Sequence, residues 1–441
     1  MMKREMNPSA RLRDVGCVRS VFVLPVALLV CGTFASARAG ELTAAQRAAG
    51  WTTLFDGHST AAWRGYRKES FPEKGWVVED GTLHVQAGAG GGDIITVDQY
   101  RDFELELEWR AGEKANSGIM YRVTEKNGAS WQTGPEYQIL DDAHEPGVAA
   151  AHSAGALYDI FPPADTKVLR PTGEFNATRI RVRNNIVQHW LNGVKIVEYR
   201  LDTPEWKKRI AASKFAKYEG FGVQPRGHIA LQEHGHDVWF RNIRIRDLSS
   251  KMPGEQALFN GRDLAGWTAF LQDGGRMEDV WSVRDGILIC KGNPIGYIRT
   301  KSDFTNYVLK LEWRFNPVTK KAGNSGVLLR MIGEDKVWPR SVEAQLQSGS
   351  AGDFWNIDKF VMKVDDARTK GRNTRKTHAA ELPIGQWNEY EIIVDHKTVT
   401  LNVNGETLNR AWDVEETPGK ICLQSEGAEI QFRNIRLAPI Q

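Results

Sequence analysis

The sequence is short of the features that define several large classes of protein. Cysteine is scarce, with four in 441 residues, too few for a disulfide-framed fold. Two of these, Cys17 and Cys31, lie close to the N-terminus, which leaves Cys290 and Cys422 for the rest of the chain. No zinc-type spacing of Cys and His is complete. Long apolar runs are missing too. The best, residues 21–30, is far shorter than the about 20 residues a spanning helix needs. Charge of one sign is also absent. Lys and Arg total 58 against 55 Asp and Glu. Six basic and two acidic residues fall within residues 1–39, so the remainder carries one net negative charge. Nothing in that balance implies a nucleic-acid surface. Helical periodicity is rare as well. Its best stretch, residues 204–217, reads as a loop with one helical turn or two.

What is present begins with an export pattern. Lys3, Arg4, Arg11, Arg13 and Arg19 make a basic start, the apolar run follows, and Ala35, Ala37 and Ala39 alternate before Gly40 and Glu41. This is the layout of a signal peptide over residues 1–39, and it predicts a periplasmic or secreted protein with no transmembrane segment in the mature chain. Val30 precedes Cys31 where a lipoprotein needs a small residue, so lipidation is not expected. In an oxidising compartment Cys290 and Cys422 are expected to form a disulfide, with two buried thiols as the alternative.

The rest of the chain repeats itself. Leu54-Phe55-Asp56-Gly57 returns as Leu258-Phe259-Asn260-Gly261, and Trp76-Val77-Val78-Glu79-Asp80-Gly81 as Trp281-Ser282-Val283-Arg284-Asp285-Gly286. Leu107-Glu108-Trp109-Arg110 returns as Leu311-Glu312-Trp313-Arg314, and Asn116-Ser117-Gly118 with Arg122 as Asn324-Ser325-Gly326 with Arg330. Phe240-Arg241-Asn242-Ile243-Arg244 closes the first copy and Phe432-Arg433-Asn434-Ile435-Arg436 the second. Five blocks in one order define two copies, residues 40–249 and 250–441, joined near residues 249–255, where Lys251, Pro253 and Gly254 break the pattern.

Each copy reads as strands. Residues 103–109, 179–183 and 238–245 alternate apolar and charged side chains with period two, one face for a core and one for water. Asp80-Gly81, Asn192-Gly193, Asp285-Gly286 and Asn404-Gly405 sit between such runs as hairpin turns. The fold class expected is all-β, two tandem antiparallel β-sandwich or jelly-roll domains.

Taken together, these blocks resemble the 3-keto-disaccharide hydrolase family, long catalogued as a domain of unknown function. Glu136-x-Gln138, Trp190-Leu191-Asn192-Gly193 and the closing Phe-Arg-Asn-Ile-Arg complete the likeness, which covers both copies. The resemblance implies a concanavalin-A-like sandwich. It also implies cleavage of glycosides or disaccharides already oxidised at C3.

Several polar residues exceed what such a fold needs. On one strand, Met120 and Arg122 would share a face with Gly118, and Arg122 could hold a substrate oxygen through its planar fork of donors; Arg330 recurs at the same place. Asn116 stands at that strand's start. On another strand Glu136, Gln138 and Leu140 share a face, followed by Asp141; the second copy offers Glu343 and Gln345. Gln232-Glu233-His234-Gly235-His236 places two imidazoles two apart, suited to moving protons or to helping hold a metal. Its counterpart, Gln424-Ser425-Glu426-Gly427-Ala428, keeps the Gln and loses both histidines. Asp141, Asp142, His144 and His152 are further metal-ligand candidates, so a divalent ion stays open. Tyr158, or in the second copy an aromatic within residues 349–355, could stack on a sugar.

The implied substrate suggests the chemistry. A C3 ketone acidifies the C2 hydrogen; a base removes it, the C1 substituent leaves by β-elimination, and water adds back. His234 or Glu136 would be the base, Arg122 the enolate stabiliser, and His236, Asp141 or Tyr158 the acid. A non-catalytic tandem lectin is the alternative. The loss of histidines favours the first copy as the active one.

Overall fold

Alternation along single strands decides which way each sheet faces. In Phe103–Ala111, Phe103, Leu105 and Leu107 enter the core while Glu104, Glu106 and Glu108 point outward. The computed structural model describes residues 40–441; the expected signal peptide, with Cys17 and Cys31, lies outside the described residues. Both copies close two antiparallel sheets over such apolar faces, and each is a sandwich of the expected all-β kind.

In the first sandwich an eight-stranded back sheet runs from Val194–Arg200 through Ile186–Leu191, Asn176–Arg183, Phe103–Ala111 and Val238–Asp247 to Thr82–Val85 and Trp76–Glu79. Trp51–Phe55 also pairs with Val238–Asp247. Facing it is a five-stranded sheet in the order Trp63–Gly65, Ile94–Thr96, His228–Leu231, Asn116–Val123 and Glu136–Leu140. Trp109, Tyr121 and Tyr137 fill the space between. The second sandwich repeats this plan with two eight-stranded sheets around Trp281, Trp313 and Tyr390. Two-residue turns set the hairpin register. Asp80 and Gly81 both take positive φ, 46° and 71°, matching the twist of the strands they join.

Helices are few. Within residues 204–217 the chain forms the nine-residue helix Pro204–Ala212, capped by Thr203, and then the short turn Lys214–Lys217. This is more helix than the sequence pattern predicts. Pro204 at the first position and the Thr203 cap supply the start that a weak apolar stripe does not. No described helix is long and apolar enough to cross a membrane.

The two sandwiches meet through their charged back faces. Arg246 bonds Glu104 of its own sheet at 2.7 Å and Glu391 of the other sandwich at 2.5 Å. Arg181 and Arg183 reach Glu389 at 3.2 and 3.3 Å, and Lys310 reaches Glu391 at 3.2 Å. The helix Ala44–Ala48 adds an apolar patch with Val308, Ala438 and Ile440. With the back sheets occupied in this way, the outer faces of the two opposite sheets are turned away from the interface.

The expected disulfide is absent, and both Cys290 and Cys422 are free buried thiols. Cys290 lies in the core between the sheets of the second sandwich. Ile421 and Leu423 also face that core, so Cys422 between them points out of the opposite side of its sheet, against Tyr297, Leu328 and Met331. A sheet separates the two sulfurs.

Candidate functional site

In the strand Glu136–Leu140, Tyr137 and Ile139 take the core and leave Glu136 and Gln138 on the outer face. The neighbouring strand places Gly118 opposite Gln138 and Met120 opposite Glu136. Gly118 is a requirement of this geometry, because a Cβ there would collide with the Glu136 carboxyl. Ser117 Oγ donates to the Gln232 carbonyl at 2.8 Å and ties in the third strand. Asn116 Oδ1 accepts from Gln138 Nε2 at 3.1 Å. Thus Asn116, Glu136, Gln138 and Gln232 do converge.

The chemistry of this patch is unusual for a folded interior. Gln138 is 2 % and Gln232 8 % exposed, and the Oε1 of each is buried without a hydrogen-bond partner among the described residues. Buried polar atoms are ordinarily paired, so these two point to an outside partner. Glu136 is 6 % exposed. Burial pushes its carboxyl up to about 8, with Lys214 pulling downward and Asp93 adding to the rise. Lys214 Nζ sits 4.2 Å from the Tyr158 ring centre and 5.3 Å from that of Trp131. The Tyr158 N–H donates to the Glu136 carbonyl at 3.0 Å, which fixes that aromatic beside the acid.

His234 is exposed. It lines a hollow of about 320 Å³ with Asp93, Tyr66, Trp131, Gln232 and Glu233. His236 stacks on it at 5.9 Å. Asp93 connects the two halves of the site. Burial raises its carboxyl against hydrogen bonds from Ser130 and the Glu233 N–H and the pull of His234, and Asp93 in turn adds to the rise at Glu136.

Other candidates fall elsewhere. Arg122 has φ of 53°, which turns its side chain out of the strand alternation. It donates to the Arg101 carbonyl at 3.0 Å and to Asn185 Oδ1 at 3.3 Å, away from Glu136. Arg330, with φ of 50°, is fully buried and donates to the carbonyls of Thr305, Glu415 and His396. Both arginines hold loops together, so their recurrence marks the fold. Asp141 is also structural. Burial raises its carboxyl, but bonds from Thr172, the Lys114 N–H and His144 outweigh this and hold it below the usual range. His144 is taken by Asp141 at 2.6 Å, His152 by Asp159 at 3.0 Å, and Asp142 by Lys167 at 2.7 Å. No three His, Cys, Asp or Glu side chains among the described residues come together as a metal site. Asp141, Asp142, His144 and His152 are paired off separately, and His234 and His236 stack on each other with no third ligand beside them among the described residues.

In the second sandwich Glu343, Gln345 and Gln424 occupy the equivalent face. Gln345 Oε1 instead accepts from the N–H groups of Leu346 and Gln347, both at 2.8 Å. A hollow of about 930 Å³ between the sandwiches is lined by charges that neutralise one another, such as Arg244 with Glu106 and Lys195 with Glu406.

Sequence reasoning passed over Asp93, Lys214 and Trp131. The one available signal was the run Gly90-Gly91-Gly92 ahead of Asp93, where a Cβ on Gly91 would strike the Lys74 carbonyl.

Comparison with known proteins places this site in context. A 3-keto-disaccharide hydrolase of Bacteroides thetaiotaomicron is 35 % identical over 247 residues, 48 % of this chain and 84 % of that one. Two solved structures of candidate glycosyl hydrolases from Parabacteroides distasonis are 33 % and 29 % identical, with TM-scores of 0.44 and 0.35. They are matched over 48 % and 45 % of this chain and 99 % of theirs. The family described as the 3-keto-alpha-glucoside-1,2-lyase-like domain matches residues 50–246 and again 254–438, and the chain belongs to that family, with one copy in each sandwich.

Proposed function

We propose that the first sandwich cleaves the glycosidic bond of 3-keto-glycosides or 3-keto-disaccharides by elimination and hydration. The observation that carries this is the buried Glu136 carboxyl over Gly118, beside two unpaired amide oxygens and an exposed imidazole. An acid ionising near 8 is well matched to accepting a carbon-bound proton, since catalytic bases work best near the operating pH. Glu136 takes the C2 proton, and the enolate oxygen at C3 is stabilised by the Lys214 ammonium and by side-chain amide donors on the same face. Collapse of the enolate breaks the C1–oxygen bond, and His234 protonates the leaving alcohol. His234 then takes a proton from water as it adds to C1, and Glu136 returns its proton to C2. One water is consumed and both side chains are restored. Tyr158, with His152 stacked on its ring and Lys214 Nζ 4.2 Å from its centre, holds the lysine beside Glu136. Arg122 and Asp141 have no part in these steps. Residues 1–39 have the layout of an export signal, so we place the enzyme outside the cytoplasm; N-terminal sequencing of the mature protein tests this by finding or not finding a start near Gly40.

The decisive substrate is a 3-keto-glucoside carrying a nitrophenyl leaving group, with the unoxidised glucoside alongside. Wild type should release nitrophenol only from the ketone, and Glu136→Gln and His234→Ala should each lose 10²-fold or more, roughly the size of general acid–base effects. Wild-type rates in both variants, or equal cleavage of the unoxidised glucoside, would refute the assignment. Saturable glycan binding with no product from any keto-sugar would point to a lectin.

A further inference from the structure

The second sandwich has lost both histidines, yet its equivalent face is not inert. Glu343 stands where Glu136 does, its carboxyl over Gly326, and a Cβ on Gly326 would collide with both Glu343 Oε1 and Gln424 Oε1. The two side chains thus aim at one spot. Gln424 is 2 % exposed, and neither its Oε1 nor its Nε2 has a hydrogen-bond partner among the described residues. Leaving a whole buried amide unpaired is costly, and here the amide faces outward onto a carboxyl, where a ligand's hydroxyl or carbonyl would satisfy it. Glu426 takes the place of His234. It forms a bridge with Asn324, whose own Oδ1 is likewise unpaired. Trp355 pairs in register with Glu343, on the face that also carries Leu328, and supplies a ring beside the acid, as Tyr158 does in the first sandwich.

We propose that Glu343 and Glu426 form a second, independently working acid–base site for the same class of neutral 3-keto-glycoside. It rests on the reading of the first site. Burial lifts Glu343 to about 8, with Glu426 adding to the rise and Arg372 opposing it, and burial lifts Glu426 to about 7 against the pull of Asn324. Near neutral pH the pair shares a proton, which rests mainly on Glu343; elimination proceeds from the minor form in which that proton sits on Glu426 and Glu343 is the carboxylate. Glu343 takes the C2 proton, the electrons pass into the C3 enolate, and the C1–oxygen bond breaks as Glu426 protonates the leaving alcohol. Glu426, now a carboxylate, takes a proton from water as it adds to C1. Glu343 returns its proton to C2, so one water is consumed and both acids are restored. The Gln424 amide bonds the sugar throughout.

The test uses the full chain and the nitrophenyl 3-keto-glucoside. One variant disables the first site (Glu136→Gln with His234→Ala), another the second (Glu343→Gln with Glu426→Gln), and a third carries all four changes. The first-site variant should keep a release rate at least 10²-fold above that of the four-fold variant. Glu426→Gln alone, added to the first-site variant, should abolish that residue of activity; as a half-buried near-isostere it guards against misfolding, which melting curves monitor. If the first-site variant is as slow as the four-fold one while the second-site variant matches wild type, the second site is refuted and the first stands. If wild type itself leaves the ketone intact, both readings fall.

Discussion

The substitution Glu136→Gln should make the protein more stable while removing its activity, and the gain should grow with pH. An unfolded glutamate ionises near 4.5, whereas Glu136 in the fold ionises at about 8 because burial disfavours its charged form. Between those values the native protein holds a proton that the unfolded chain has lost. Folding then takes up a proton, so the stability present below 4.5 is lost as pH rises through 8. The ceiling on this effect follows from the shift, at about 1.4 kcal/mol per unit, and comes to about 5 kcal/mol. Relaxation and water entry reduce such penalties, and about 2 kcal/mol is expected near pH 8.5. Glutamine has the same shape and no charge to bury, so the variant is spared that loss. For a domain of this size the difference is about 4–8 °C in Tm.

The assay is a pair of melting curves for wild type and Glu136→Gln at pH 4.5, 7 and 8.5. The curves should coincide at the lowest pH and separate in favour of the variant as pH rises. In parallel, the wild-type kcat/KM on the 3-keto-glucoside should rise with its midpoint near pH 8, as the free base ionises, with the variant flat and low. A variant that melts below wild type at pH 8.5, or a difference independent of pH, would show that Glu136 is not held neutral by burial. The base assignment would then lose its physical ground.

Other consequences can be checked with simpler measurements. Cys290 and Cys422 should be silent to a thiol reagent in the native protein and both titrate after unfolding, and reductant should leave Tm unchanged; a melting shift on reduction would restore the disulfide. Glu391→Gln should strip Arg246 and Lys310 of a shared buried partner and cost about 3 kcal/mol, read in urea unfolding. Burial pushes Glu104 up, but Arg179, Arg246 and Arg181 outweigh it and hold it at about 2, so this contact's stability is present above about 4.5 and lost as pH falls toward 2. Acid melting curves should show that loss in wild type and less of it in Glu104→Gln.

The architecture was legible in the sequence because period-two alternation and paired turn residues act locally. Glu104, Glu106 and Glu108 announced an outward face before any partner was known. Half of the site was legible for the same reason. Glu136 and Gln138 sit two apart on a strand and recur as Glu343 and Gln345. Recurrence misled at Arg122 and Arg330, since a scaffold contact repeats as faithfully as a catalytic one. The left-handed φ that swings each guanidinium toward loop carbonyls leaves no mark in the residue pattern. Asp93 and Lys214 were invisible because they arrive from a loop and a short helical turn, and only folding brings them to Glu136. The disulfide failed on parity. Ile421 and Leu423 face the core, so Cys422 between them cannot.

Joining the copies through their back sheets has a consequence for how they diverge. The ion pairs of Arg246, Glu104, Glu391 and Lys310 fix the charged outer faces of Phe103–Ala111, Val238–Asp247, Tyr307–Phe315 and Asn388–Asp395 against change, because removing one partner strands another. The opposite sheets carry no such obligation. Each needs only its inward side chains for the core, and its outward ones are free to vary by one residue at a time without disturbing the other sandwich. That freedom is where the copies differ. Glu426 stands in the place of His234, Ala428 in that of His236 and Trp355 in that of Tyr158, while the glycine floor and the Glu-x-Gln strand stay. Constraint on one face and liberty on the other lets one scaffold carry outer faces of unlike composition, imidazoles with a carboxyl in the first sandwich and two carboxyls in the second.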